Sequence, residues 1–370
     1  MGIAELELDP NNAKKACFSI TREISEKNGR QFPILFRSKS GIFLEILSKE
    51  IEMRTSSVLA AIVFWSFSAT FVTDAQSRRG TGFSDWSAPV NVGPPINTQW
   101  DDNVPVLSKD EKTLFFTSTR PDGGYGAEDI WVAKRKNKNA PWGEPVNLGP
   151  GINTPYTDRM RSLSADGRII LFQSDRPSGN GGTDIWAIVR KNTNDDFGWS
   201  RPVNLGPVIN TQYNEVAAKY LFDERHTRGD LFFSSMRPGG FGGSDIYESE
   251  IIDNGFASPI NVFELNSGSY DTCFWVRDDG LEIIFTSNRP NLTGDTNLYD
   301  LWVSARSSVY DAWSPPQSLG PTINSEGYVD ANPMLASDDS VLYFASGRPN
   351  AHGPTPNMDI YFSNRTRLRK

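Results

Sequence analysis

Five near-copies of one segment constrain what this chain can fold into. Aligned on the aromatic residue that opens Trp-Ser-x-Pro-Val-Asn-Leu-Gly, they begin at Trp86, Trp142, Trp199, Phe256 and Trp313, at spacings of 56, 57, 57 and 57 residues. A fixed period of this size marks stacked supersecondary units, none of which buries its apolar faces alone. Later elements recur in the same order: an Ile-Asn-Thr segment at Asn97, an acid at Asp102, a Ser-x-Asp-Gly-like turn, Phe-Phe-Thr-Ser-x-Arg-Pro at Arg120, and Asp-Ile-Trp at Asp129.

Within a copy the apolar pattern is short and has period two or runs continuously, as in residues 104–107, 113–117 and 129–133, which predicts strands and no helix. Asp166-Gly167 and Asp279-Gly280 supply tight hairpins, and Arg-Pro followed by glycines ends each second strand. Counting the Pro-Val-Asn-Leu segment, each copy holds four short antiparallel strands. The expected fold is therefore an all-β, five-bladed β-propeller of four-stranded blades. The first copy opens on a fourth strand and the last ends on a third, Asp359-Ile360-Tyr361. Residues 86–92 should accordingly pair with residues 358–363 and close the ring, because an unpaired edge would template aggregation.

The segments Asn103-Val104-Pro105-Val106-Leu107-Ser108-Lys109-Asp110 and Asn332-Pro333-Met334-Leu335-Ala336-Ser337-Asp338, with the Ser-x-Arg-Pro and Asp-Ile-Trp/Tyr elements, resemble the WD40-like propeller repeats of exported bacterial proteins. Those repeats are related to the periplasmic propeller of the Tol system. The resemblance spans residues 83–365 and implies a periplasmic or secreted protein whose partner is an envelope protein, a peptidoglycan fragment or another glycan. Blade three departs from it by replacing the Ser-x-Asp-Gly turn with residues 223–229, and blade four reads Val262-Phe263-Glu264-Leu265 where the others carry glycine.

The formal charge of −8 argues against nucleic acid as a partner. Met53-Arg54, an uncharged stretch over 55–73, and Thr73-Asp74-Ala75 have the form of a secretory signal peptide cleaved after Ala75, with a membrane anchor as the rival reading. Residues 1–52 then read as a gene-model extension or disordered segment, 76–82 as a linker and 366–370 as a basic tail. The chain is expected to be a monomer that meets membrane only through 55–73, if that segment is uncleaved. Cys273 would be the lone cysteine of the mature chain and reads as a small buried residue. His226 and His352 fall in loops of different blades, so neither a zinc site nor a Ser-His-Asp arrangement is expected. No cofactor is expected. The oxygen spacing of Asp295-Thr296-Asn297-Leu298-Tyr299-Asp300 makes Ca²⁺ a candidate ion, although the glycine and terminal glutamate of a full calcium loop are lacking.

Three residue sets recur once per blade. Asp102, Asp158, Glu215, Asp271 and Asp330 start the first strands, which line the channel of a propeller, so five carboxylates should ring one mouth. Arg120, Arg176, Arg237, Arg289 and Arg348 share that end by loop parity. Asp129, Asp184, Asp245, Asp300 and Asp359 head the third strands and are the expected partners of the arginines. A residue repeated in every blade usually serves a need of every blade, so scaffold roles compete with a cation or polyol site built from the ring. The Gly-rich runs at 121–126 and 238–243 join strand to strand, with no helix N-terminus to hold phosphate. Their tips, Tyr125 and Phe241, are candidate stacking platforms for a sugar or peptide.

Two function classes follow. The first is a noncatalytic recognition module that binds a partner protein, cell-wall fragment or glycan on the acid-ring face. The alternative is a glycoside hydrolase or lyase, since five-bladed propeller families that cut arabinans and fructans gather three acids at the axis. Such chemistry needs two dissimilar carboxylates, and the odd acid is Glu215. An enzyme of this kind would use Glu215 as proton donor, with Asp102 or Asp330 as base.

Overall fold

In the computed structural model, residues 83–223, 228–253, 255–290, 298–349 and 357–368 are described, together with a short antiparallel pair, β1 (Phe36–Arg37) and β2 (Phe43–Leu44). The chain divides into two units, Met1–Val72 and Thr73–Lys370. The expectations for the signal segment, for the two histidines and for Asp295 to Asn297 lie outside the described residues.

The second unit is a five-bladed propeller, with no helix among the described residues. Blade one comprises β4 (Asp102–Leu107), β5 (Thr113–Ser118), β6 (Asp129–Lys134) and β7 (Val146–Asn147), hydrogen-bonded in that order. Blade two repeats this with β8 (Asp158–Leu163), β9 (Ile169–Ser174), β10 (Asp184–Val189) and β11 (Val203–Asn204). Blade three has β12 (Glu215–Asp223), β13 (Arg228–Ser235), β14 (Asp245–Ile252) and β16 (Ile260–Asn261), plus a short β15 (Gly255–Phe256) on the extended end of β14. Blade four is β17 (Asp271–Val276), β18 (Glu282–Ser287), β19 (Asp300–Ala305) and β20 (Gln317–Ser318). Blade five takes β21 (Asp330–Leu335), β22 (Val341–Ser346) and β23 (Asp359–Asn364) from the end of the chain and β3 (Val90–Asn91) from near its start.

That exchange closes the ring. Tyr361 and Phe362 pair with Asn91 and Val90, the Ser87 and Ser84 N–H groups reach Asn364 and Thr366 carbonyls, and Phe83 bridges Arg367. The core lies between blades. Successive residues of a strand point to opposite faces, and Phe115 and Phe116 are both fully buried, as are Phe232 and Phe233, so each second strand packs against both of its neighbours.

Every first strand carries a register shift against its second strand one to three residues after the opening acid. In four blades a non-glycine residue there adopts the left-handed region: Val104 (φ 50°), Ala217 (φ 45°), Cys273 (φ 42°) and Asn332 (φ 54°). These bulges, of a kind that re-aims side chains beside functional sites, line the axis. Cys273 is consequently half-buried at the channel rather than packed in the core.

Candidate functional site

The five ring acids stand where the repeat places them, but they face inward. Asp102, Asp158, Glu215, Asp271 and Asp330 are fully buried. One oxygen of Asp158 accepts the Thr154 N–H (2.6 Å) and Oγ1–H (2.7 Å), and the other accepts Arg176 Nη2 (2.5 Å). Asp102 and Asp330 repeat this with Thr98 and Arg120 and with Ser325 and Arg348. In Asp271 the Ser287 hydroxyl joins Arg289, and in Glu215 the Ser235 hydroxyl donates while Arg237 lies 3.5 Å away. With both oxygens engaged, each acid fastens the segment entering its blade.

The arginines are held as firmly. Arg120, Arg176, Arg237, Arg289 and Arg348 each donate Nε–H to the serine that ends the second strand and Nη2–H to a carbonyl of the preceding Ile/Leu-Asn segment. Each also lies over two aromatic rings, Phe172 and Trp186 in the case of Arg176. Burial pulls the Arg237 guanidinium below its usual value, with Glu215 opposing.

Two expectations are corrected here. The partners of the arginines are the ring acids and not the acids heading the third strands. Asp129, Asp184 and Asp245 instead accept a backbone N–H from the Gly-rich loop and an amide N–H of Asn147, Asn204 or Asn261, and Asp359 accepts Asn91. Burial pushes the Asp129 carboxyl up, against the pull of the Tyr125 N–H and Asn147 bonds. The second correction is to the axial site: buried and saturated, the ring offers no carboxylate to a cation or polyol, nor does it leave Glu215, Asp102 or Asp330 able to reach a substrate. Among the described residues no three His, Cys, Asp or Glu side chains converge on a metal site.

A further repeated set went unread. Arg135, Arg190, Arg306 and Arg365 follow the third-strand acid by six residues, stack 4.2–4.5 Å from the rings of Trp142, Trp199, Trp313 and Trp86, and donate Nε–H to the hairpin carbonyls of Glu111, Gly167, Gly280 and Asp339. Blade three has Ile251 and Phe256 at these positions, and those two residues pair in β14–β15. The Gly-rich loops also have a specific task. A Cβ on Gly126, Gly181 or Gly242 would collide with carbonyls of the segment entering the next blade, at Thr154, Thr211 and Ser269, so the loops dock blade to blade.

Against this five-fold scaffold, the first-strand face carries a crown of aromatics. Trp100, Tyr156, Tyr213 and Tyr270 are each about two-fifths exposed, and Tyr328 is half-buried at the corresponding position of blade five. Tyr125 and Phe241 are more exposed still, on the adjoining loops. Charge on this face is not five-fold. The residue before the ring acid is Asp101 in blade one but Thr157, Asn214, Tyr270 and Val329 elsewhere, and the residue before the third strand is Glu128 where the others have Thr183, Ser244, Tyr299 and Met358. Arg159 donates Nε–H to Glu128, and Asp101 accepts the Met358 N–H at 2.7 Å. Burial would lower the Arg159 pKa, yet the bond and charge of Glu128, with Asp101 beyond, hold it above its usual value. On the opposite mouth, a cavity of about 240 Å³ contains Lys219, which lies 3.6 Å from the Trp275 ring and 2.9 Å from Asp278. Burial depresses its pKa, against Asp278.

No family model and no curated protein matches the sequence. Solved structures do. An α-L-arabinofuranosidase from Podospora anserina, in complex with cellotriose, is 13% identical with a TM-score of 0.50, covering 77% of this chain and 98% of that one. An α-L-arabinofuranosidase from Lactobacillus brevis is 14% identical (TM-score 0.49, 74% and 94% covered), and TolB from Acinetobacter baumannii is 13% identical (TM-score 0.44, 78% and 67%). At such identities the likeness is one of fold. The expectation of a noncatalytic module reading its ligand through the acid ring is corrected: the five ring acids are buried and paired, and the solved structures that share the fold include glycoside hydrolases, the class held as the alternative.

Proposed function

We propose that this protein is a glycoside hydrolase that works at the first-strand face, with Asp101 and Glu128 as its carboxylate pair and the aromatic crown as its substrate platform. The observation that carries the proposal is the break in symmetry: the two acids and Arg159 occur together in blades one and two, at positions neutral in the other blades. Hydrolysis of a glycosidic bond needs two carboxylates in different surroundings. Asp101 is half-exposed and held by one backbone N–H, whereas Glu128 is buried against a guanidinium. Flat exposed rings offer the apolar faces of sugars a contact that holds a chain across the mouth, as aromatic side chains with one wet side do at interfaces. The similar fold of an arabinofuranosidase bound to cellotriose supports a β-linked or arabinose-bearing polysaccharide as the substrate class. Export through the 53–75 segment suits a polymer too large to enter a cell.

The test is release of reducing ends from arabinan, arabinoxylan, cello-oligosaccharides and peptidoglycan fragments. Asp101→Asn and Glu128→Gln should each lower kcat about 10²- to 10⁴-fold, while Trp100→Ala with Tyr156→Ala should raise KM and leave kcat nearly unchanged. Absence of turnover on every polymer, or full activity in both carboxylate variants, would overturn the proposal.

A further inference from the structure

One residue on the propeller axis is charged where its counterparts are not. Three positions after the ring acid stand Pro105, Ala218, Phe274 and Pro333 in four blades and Arg161 in the second. Arg161 is 7% exposed, so its cation has left water almost completely. None of its hydrogen-bond partners is a carboxylate: Nε donates to Gln173 Oε1 at 2.6 Å, and Nη1 donates to Asn332 Oδ1 at 3.1 Å and to Cys273 Sγ at 3.5 Å. Nη2 has no acceptor among the described residues. The carboxylate that acts on it, Glu128, is already bonded to Arg159, and the Arg159 cation repels Arg161. Burial accordingly pushes the Arg161 pKa down.

A buried cation is retained where something compensates it, because transfer out of water without a counter-charge is among the costliest events in folding. Arg161 borders a cavity of about 10 Å³ whose wall includes Val104, Ala217, Cys273, Asn332 and Pro333. A space of that size is at the lower limit for one water-sized species, so an ion larger than water enters only if the side chains of the wall move outward. Cys273 on its wall is half-buried. The strained φ angles of Val104, Ala217, Cys273 and Asn332 all fall on this wall, so four blades bend their first strands around one point.

We propose that this point is a binding site for a single small monovalent anion, chloride in physiological media, held by Arg161 and by the Asn332 side-chain amide. The site is separate from the glycan face and does not depend on it. An anion there neutralises Arg161 at the one position where all five blades meet, and so ties the ring together at its centre.

The experiment is thermal unfolding of the full chain at constant ionic strength, with chloride exchanged for isethionate, an anion too large for the cavity. Raising chloride to about ten times its dissociation constant should raise Tm by roughly 3 °C, the shift expected when a ligand of that saturation binds only the native state. In Arg161→Gln the shift should vanish. Should that variant not fold, Asn332→Asp supplies the second reading: an aspartate tolerates the left-handed backbone at that position and places a carboxylate beside Arg161, so Tm in isethionate should rise and the response to chloride should disappear. Bromide-soaked crystals should show an anomalous peak beside Arg161. A wild-type Tm indifferent to the anion, or a chloride response that survives in Asn332→Asp, would overturn the proposal and leave the cavity to water.

Discussion

Asp158→Asn separates a scaffold acid from a binding acid. Asp158 is fully buried, accepts three hydrogen bonds of 2.5–2.7 Å, and is the only carboxylate among the described residues bonded to Arg176, whose side chain is 10% exposed. Asparagine keeps one acceptor oxygen for the Thr154 pair but turns an NH₂ donor toward the guanidinium. Arg176 would then keep only Ser174 Oγ, the Ile152 carbonyl and two rings. Removing one partner of a buried ion pair costs about 3–5 kcal/mol, which in a domain of this size lowers Tm by roughly 10 °C. A control is at hand in Asp166, whose side chain is 60% exposed and lies 3.8 Å from Arg168; Asp166→Asn should cost under about 1 kcal/mol. The assay is thermal unfolding followed by circular dichroism at pH 7, with Asp158→Leu/Arg176→Met as a further variant that should recover part of the loss. A drop for Asp158→Asn no larger than that for Asp166→Asn would refute the scaffold assignment and return the ring to the list of ligand sites.

Gly181→Ala should lower Tm by several degrees, because the new Cβ would meet the Thr211 carbonyl and Gln212 backbone, whereas Gly151→Ala, with open space around it, should not; melting curves check both. Tyr220, pushed up to about 12 by burial, contributes stability that is complete below pH 10 and is lost as pH rises from 10 towards 12, so Tyr220→Phe should flatten the alkaline limb of the stability–pH curve measured by urea unfolding. Deleting residues 76–92 should remove β3, expose the β23 edge and lower both Tm and solubility, read by melting and by light scattering; an unchanged Tm would contradict closure through this strand.

Blade number, strand order, the closing strand and the face shared by acids and arginines were legible because each follows from period and parity alone. Pairing within that face was not. Asp129 lies 9 residues from Arg120 and Asp102 lies 18, and nearness in sequence favours the wrong acid. What decides is the hairpin: Asp102 pairs across β4–β5 with Ser118, which brings the Arg120 side chain back over the start of its own first strand, whereas Asp129 is drawn into the Gly-rich loop by the Tyr125 N–H. The second arginine set did leave a signal. Arginine and tryptophan occur together in four blades and are replaced together in blade three, by Ile251 and Phe256, which is what a stacked pair leaves behind when it is exchanged for an apolar one. The aromatic crown was missed because its residues precede the strand, in segments that read as linkers until the propeller sets them around one mouth.

The repeat itself supplies a criterion for function. A side chain repeated from blade to blade meets a demand those blades share, and the structure identifies the demands: fastening the segment that enters each blade in all five, docking the Gly-rich loop at Gly126, Gly181 and Gly242, and holding the outer tryptophan in four. Single-blade departures have no such common use, and the ones on the axis carry a cost. Lys219 stands where the other blades have Val106, Ser162, Trp275 and Met334, and burial depresses its pKa; Arg161 stands among prolines, alanine and phenylalanine, and burial depresses its pKa as well. Replacing either with the residue of a sister blade would remove a desolvated charge, which in other proteins is often neutral or stabilising. Scaffold demands alone would thus favour the neutral residue at both positions. The charges at Arg161, Lys219, Asp101 and Glu128 are therefore where ligands should be sought, and the buried ring acids, for all their regularity, are not.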